Sequence, residues 1–249
     1  MSKGMRNQIY TYLFALLSLF FTHTAQAAII ELITNGDFET GDFTGWTSTD
    51  LLPGTGQFLI DTPGTSTPIS GNATAPNPTG GNFYAVSDQV GPGTHAIEQT
   101  FVVPFDVITL TLTFDLFVNN QAGATIIDPM FGLDHTGLPN QHGRVDILSA
   151  GSTAFDTGAG VLNNLFIGAD PIANNPNPYV SYQFDLTGLL APSGAFDLRF
   201  AETDNQLFFN LGVDNISLIA TTVPEPNILF LFGAGLILIV FTRRSLKQG

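Results

Sequence analysis

From Val107 to Val118 the chain alternates with period two: Leu110, Leu112, Phe114 and Leu116 fall between Thr109, Thr111, Thr113 and Asp115. Successive side chains of a strand point to opposite faces, so this stretch predicts a strand with one dry and one wet face. Val180, Tyr182, Phe184 and Leu186 alternate in the same way with Ser181, Gln183 and Asp185, and Phe196, Leu198 and Phe200 with Asp197, Arg199 and Ala201. Weaker strand signals cover Ile29–Ile33, Gln57–Ile60, Phe83–Val86, Ile97–Val103, Arg144–Leu148 and Val213–Ile219. Clusters of Gly, Pro, Asn, Ser and Thr separate them, and the longest predicts a surface excursion over 61–82. No stretch between the two ends carries a helical period. About nine strands with turn-rich spacers predict an all-β chain, a single antiparallel β-sandwich. Its connections are those of a Greek key or jelly roll, which the pattern alone does not order.

Both ends depart from this pattern. Lys3 and Arg6 precede an apolar run from Ile9 to Phe21 and then Ala25-Gln26-Ala27. That order of basic, apolar and small residues predicts a signal peptide over 1–27. At the other end, Asn227 to Phe241 is uncharged, and Arg243, Arg244 and Lys247 follow it. At about 1.5 Å per residue a helix there spans roughly 22 Å, short of a ~30 Å hydrocarbon core. Gly233 and Gly235 weaken it further as a permanent anchor. The basic residues at both ends point to the cytoplasmic side, which places 28–222 outside.

Between Ala28 and Val223 the only Lys or Arg residues are Arg144 and Arg199, and all the acids but Glu225 lie there. Twenty acids against two arginines give this region −18. Such a domain repels phosphate backbones, which excludes nucleic acid as a partner, and it attracts cations. There is no cysteine, so the core, with or without a bound cation, must supply the stability.

Val223-Pro224-Glu225-Pro226, the short apolar helix and Arg243-Arg244 together resemble a PEP-CTERM sorting signal. The resemblance covers only the tail, 223–249. It implies a Gram-negative bacterium that makes exopolysaccharide, transient anchoring in its inner membrane, and an exosortase that cuts near Pro224-Glu225-Pro226. The protein would then pass to the cell surface or biofilm matrix. The alternative for these residues is an ordinary C-terminal anchor behind a Pro-rich hinge.

Glu31 to Trp46, "ELITNGDFETGDFTGW", and Phe208 to Leu218, "FFNLGVDNISL", resemble the edges of jelly-roll carbohydrate-binding and galactose-binding-like modules. That resemblance implies a structural Ca2+ between the two stretches. Glu39 and Asp214 would be its side-chain ligands, and backbone carbonyls near Asn35 and Asp37 would complete the shell.

Trp46 and Tyr179 are the candidate ligand platforms, since exposed aromatic rings stack on sugars. The competing role for Trp46 is to plug the sandwich edge, and for Tyr179 to join the core or its rim. His135 and His142 sit near Asp128 and Asp134 without the spacing of a zinc hydrolase, and are read as a solvated loop. No nucleophile or phosphate-loop motif is present. The expected function is therefore non-catalytic glycan binding or matrix scaffolding, with no enzymatic activity. The alternative is an extracellular glycoside hydrolase or lyase whose carboxylates meet only in the fold.

Overall fold

The computed structural model describes residues 27–76, 80–122, 126–128, 132–168 and 176–223. Residues 1–26, Pro224-Glu225-Pro226, the apolar run 227–241 and Arg243-Arg244 lie outside these. Residues Ile29–Thr221 form a compact unit of their own. It holds β1 (Ala28–Glu31), β2 (Thr47–Asp50), β3 (Gln57–Asp61), β4 (Tyr84–Asp88), β5 (Gly93–Val102) and β6 (Val107–Asn120). β7 (Gln141–Ser149), β8 (Val161–Gly168), β9 (Val180–Asp185), β10 (Ala195–Asp204) and β11 (Phe209–Thr222) complete it. No helix occurs among the described residues.

One sheet runs β3-β4-β11-β6-β9, with β1 also on β11, and the other runs β2-β5-β10-β7-β8. From β4 onward the pairing is nested: β4 with β11, β5 with β10, β6 with β9 and β7 with β8. A long hairpin wrapped in this way is a jelly roll, the order that the alternation alone left undecided.

The apolar members of the alternation do what their period requires, but Asp197, Arg199 and Ala201 of β10, expected on a wet face, are buried too, because the loop around Leu133 and the Asp146 ion cluster cover that face. Leu110, Leu112, Phe114 and Leu116 of β6 face Leu198 and Phe200 of β10 in one core, where Phe114 meets Phe200 edge-on at 5.2 Å. Each such buried side chain contributes about 2 kcal/mol. In β11 the inward set shifts from Phe209, Leu211 and Val213 to Ile216, Leu218 and Ala220. Asn215, with φ of 52°, absorbs the change of phase, as a bulge residue does.

Two strands escape the period-two reading, each for a physical reason. β2 is "TSTD" and has no apolar face to signal it. β8 pairs with β7 through two register shifts, which break its alternation. Within the excursion, residues 65–76 cover the outer face of β4 and the start of β11. Asp88 accepts the N–H groups of Ile69 at 2.6 Å and Ser70 at 3.1 Å, and Asn72 donates to Asn210 at 2.8 Å. Tyr84, Val86, Phe117 and Tyr179 form a small second core on this face.

Candidate functional site

The outer face of the first sheet is covered over β4, the start of β11 and the Phe117–Asn119 end of β6, but open over the first half of β6 and over β9. Register pairs Thr113 with Gln183 and Asp115 with Ser181 across these two strands. Together with Asn215 and Tyr182 they line a shallow groove. Asp115 forms its floor and is buried. One of its oxygens accepts the Ser181 hydroxyl at 2.5 Å and the other accepts the Asn215 amide at 2.9 Å. The bulge that re-phases β11 thus also places Asn215 against Asp115. Ser181 and Gln183 are exposed, while Thr113 and Tyr182 are half-buried. The Tyr182 ring turns to the opposite, inward face, where it stacks on Phe114 at 5.3 Å and meets Phe166 of β8 edge-on at 5.6 Å, so the groove itself is polar. Hydroxyl, amide and carboxylate groups on a rigid sheet can exchange hydrogen bonds with a polyol.

The two platform candidates are corrected. Trp46 is buried against Phe38 and Phe200, and its indole donates to the Asn35 carbonyl at 3.1 Å. Tyr179 packs edge-on to Phe117 at 4.9 Å and to Tyr84 at 6.3 Å, and burial pushes its hydroxyl far above the usual phenol range. Neither ring offers a face to a ligand, because each is buried among other aromatic side chains.

The solvated-loop reading of the histidines is corrected as well. Leu133 packs on Ala96 and Ala201 of the second sheet, and this draws the loop down onto that sheet. His135 is consequently buried, with Nδ1 3.0 Å from the Thr94 hydroxyl and Nε2 2.5 Å from the Pro53 carbonyl. His142 lies within β7 and is fully buried, and desolvation, with Arg144 nearby, pushes it down to about 4.

Glu39 is exposed. Its Oε1 accepts the N–H groups of Asn82 at 2.6 Å and Phe83 at 3.0 Å, and its Oε2 accepts the Asn82 side chain at 2.9 Å. The Phe83 N–H and then the Asn82 groups hold its carboxyl below the usual range. Asp37 accepts the Glu39 N–H at 3.4 Å, and Asp214 is buried in β11, accepting the Asn215 N–H at 2.7 Å. Among the described residues no three His, Cys, Asp or Glu side chains gather to hold a metal ion. A calcium ion at Glu39 would have to share or displace the Asn82 and Phe83 donors.

Arg144 and Arg199 are both buried on Asp146 of β7. Arg144 grips it with two bonds of 2.7 Å. Arg199 reaches it at 2.5 Å and also donates to the Ala154 and Asp156 carbonyls. Burial raises the Asp146 carboxyl, but the two arginines outweigh it and hold the carboxyl below the usual range. With both cations spent inside, no lysine or arginine of 27–223 reaches the surface, and the exposed charge there is wholly negative.

Beyond the sandwich, residues 222–245 match the family described as the PEP-CTERM protein-sorting motif. The tail is a PEP-CTERM sorting motif. A PEP-CTERM motif marks the chain for export with transient membrane anchoring. No curated protein matches the chain. Among solved structures, TmCBM61 in complex with β-1,4-galactotriose is 10% identical over 76% of this chain and 97% of its own, with a TM-score of 0.44. The K3 cleaved adhesin domain of Lys-gingipain from Porphyromonas gingivalis is 16% identical over 77% and 99%, with a TM-score of 0.49. A Stig cyclase from Fischerella sp. TAU is 17% identical over 80% and 100%, with a TM-score of 0.41. A binding module, an adhesin domain and a cyclase share this distant likeness, so it distinguishes no activity.

Proposed function

We propose that the chain is a surface or biofilm-matrix protein of a Gram-negative bacterium. In this reading an exosortase processes its tail, and the mature sandwich holds neutral exopolysaccharide without catalysis. The observation that carries the binding half is the groove built by the Thr113–Gln183 and Asp115–Ser181 pairs. Sheet hydrogen bonds fix its backbone, and Asp115 orients two of its side chains, so a sugar meets donors and acceptors already in place. The all-negative surface supports a neutral polymer, since an anionic one would be repelled. Non-catalytic binding is supported by the position of the carboxyls most displaced toward the acid form. Glu202 and Asp204 belong to a strand buried along nearly its whole length, away from the groove.

Material shed by the producing cells tests both halves. Intact mass should show a chain that lacks Asn227 to Gly249, and that chain should co-sediment with the purified matrix polysaccharide. Recovery of the tail through Gly249 overturns the sorting step. A chain that stays in solution while the polysaccharide pellets overturns the glycan step.

A further inference from the structure

The space between the sheets is apolar along most of its length and polar at one end. The inward alternation of β10, from Phe196 through Leu198 and Phe200, continues to Glu202 and Asp204. Glu202 pairs in register with His95 of β5, and Gln89, just beyond β4, donates to Asp204 at 3.2 Å. Glu202 is fully buried, and neither of its carboxylate oxygens has a hydrogen bond of good geometry, the nearby Gln89 amide offsetting only a little of the cost of burial. The Gln89 amide oxygen, equally buried, lacks one too. His95 does not supply the missing donor. Its Nε2 stands 3.8 Å from Glu202 and is turned to the Thr55 carbonyl at 3.0 Å, while its Nδ1 faces Asp50 at 2.7 Å.

Three acceptor oxygens without a donor of good geometry meet beside a second carboxylate. A proton on Glu202 would supply one donor and leave the other acceptors unanswered. A hard cation answers all of them at once, and two carboxylates balance its two charges. An opening lined by Val90, Pro92, Leu207 and Phe208 leads from the surface to Asp204 and gives an ion its path. The negative surface concentrates cations at that mouth. We propose that Glu202, Asp204 and Gln89 form a buried site for a hard divalent cation such as Ca2+ or Mg2+, separate from the Glu39 turn. Water and main-chain carbonyls complete the shell, as hard cations allow. Burial raises the Glu202 carboxyl well above its usual range and pushes Asp204 up to about 7, although Asp204 also accepts the Gln206 N–H at 3.1 Å.

The test is titration of CaCl2, and separately MgCl2, into the chelator-stripped full chain at pH 8. Calorimetry and thermal unfolding are read for the wild type, Glu202→Gln, Asp204→Asn and Glu39→Gln. The wild type should bind one ion and melt several degrees higher with it, since an ion held only by the folded form stabilises that form. Glu202→Gln and Asp204→Asn should each weaken binding at least a hundredfold, and Glu39→Gln should leave it unchanged. In chelator, Glu202→Gln should melt above the wild type at pH 8, because burial penalises a carboxyl that the unfolded chain ionises freely, and an amide carries no such penalty. That result separates lost binding from lost folding, and Asp204→Asn serves if Glu202→Gln does not fold. A wild type that binds neither ion overturns the proposal. So does unchanged binding in both β10 variants, or binding lost in Glu39→Gln alone.

Discussion

Asp146→Ala is expected to lower stability by about 5 kcal/mol and the melting temperature by roughly 15 °C. Arg144 and Arg199 both close on this one carboxylate, and all three side chains are buried. The substitution leaves two guanidinium groups close together in a site with little water, without a counter-charge. Desolvation already lowers the proton affinity of Arg199, so the carboxylate is what keeps it there. Replacing the cluster jointly, with Arg144→Met, Asp146→Leu and Arg199→Met, should restore most of the loss, because shape-matched apolar groups need no counter-charge. Chemical and thermal unfolding of the two variants measure the difference. A loss below about 1 kcal/mol for Asp146→Ala would mean a solvated surface pair rather than a buried cluster.

Gly36→Ala is expected to cost about 3 kcal/mol, or roughly 10 °C. A Cβ at this position would stand 1.9 Å from the Ile216 carbonyl oxygen, and that oxygen belongs to the main chain of β11. The Gly36 carbonyl also accepts the Ile216 N–H at 2.9 Å, so the two backbones cannot part without losing that bond. Ile216 is the first inward residue after the Asn215 bulge, and the strain would pass directly into the phase of β11. Gly71→Ala is a fitting comparison, since nothing lies within 4 Å of its Cβ position although its φ is positive. It should cost far less, and equal losses would contradict the close approach at Gly36.

These two sites show which parts of the fold could be read from residue order. The period of two placed β6, β9 and β10 and their inward apolar residues, because alternation is a local property; it did not show that the other face of β10 is buried as well. It also marked Ser181 and Gln183 as wet, which they are, and Thr113 and Asp115 too, though Ser181 and Asn215 cover Asp115 and bury it. It did not show that Thr113 meets Gln183, because register is set by partners distant in sequence. The groove was therefore legible as residues and not as a site. Trp46 and Tyr179 stood out as aromatics beside turns, but exposure depends on what the turn packs against; Trp46 enters the core between the sheets and Tyr179 the small cluster on the outer face. The ion cluster had one visible sign, the presence of only two arginines among twenty acids. That both would spend their charge on Asp146 is a consequence of the β7–β10 register, which sets Arg199 opposite Asp146. Glu202 gave no sign, because the inward period of β10 continues from apolar residues into carboxylates without interruption. The sorting tail was the opposite case, since its prolines, apolar run and arginines are contiguous and need no fold to be recognised.

The central claim is that the β6–β9 groove holds a neutral polysaccharide. Affinity electrophoresis of the exported chain through gels containing the host's purified neutral polysaccharide tests it most directly, with Gln183→Ala alongside. Gln183 is exposed and lies on an edge strand, so its loss should leave the fold intact. The account predicts retardation of the wild type and a dissociation constant at least about tenfold weaker for Gln183→Ala, the loss of one well-placed hydrogen-bonding group. Equal retardation of the two proteins, or retardation of neither, would contradict it.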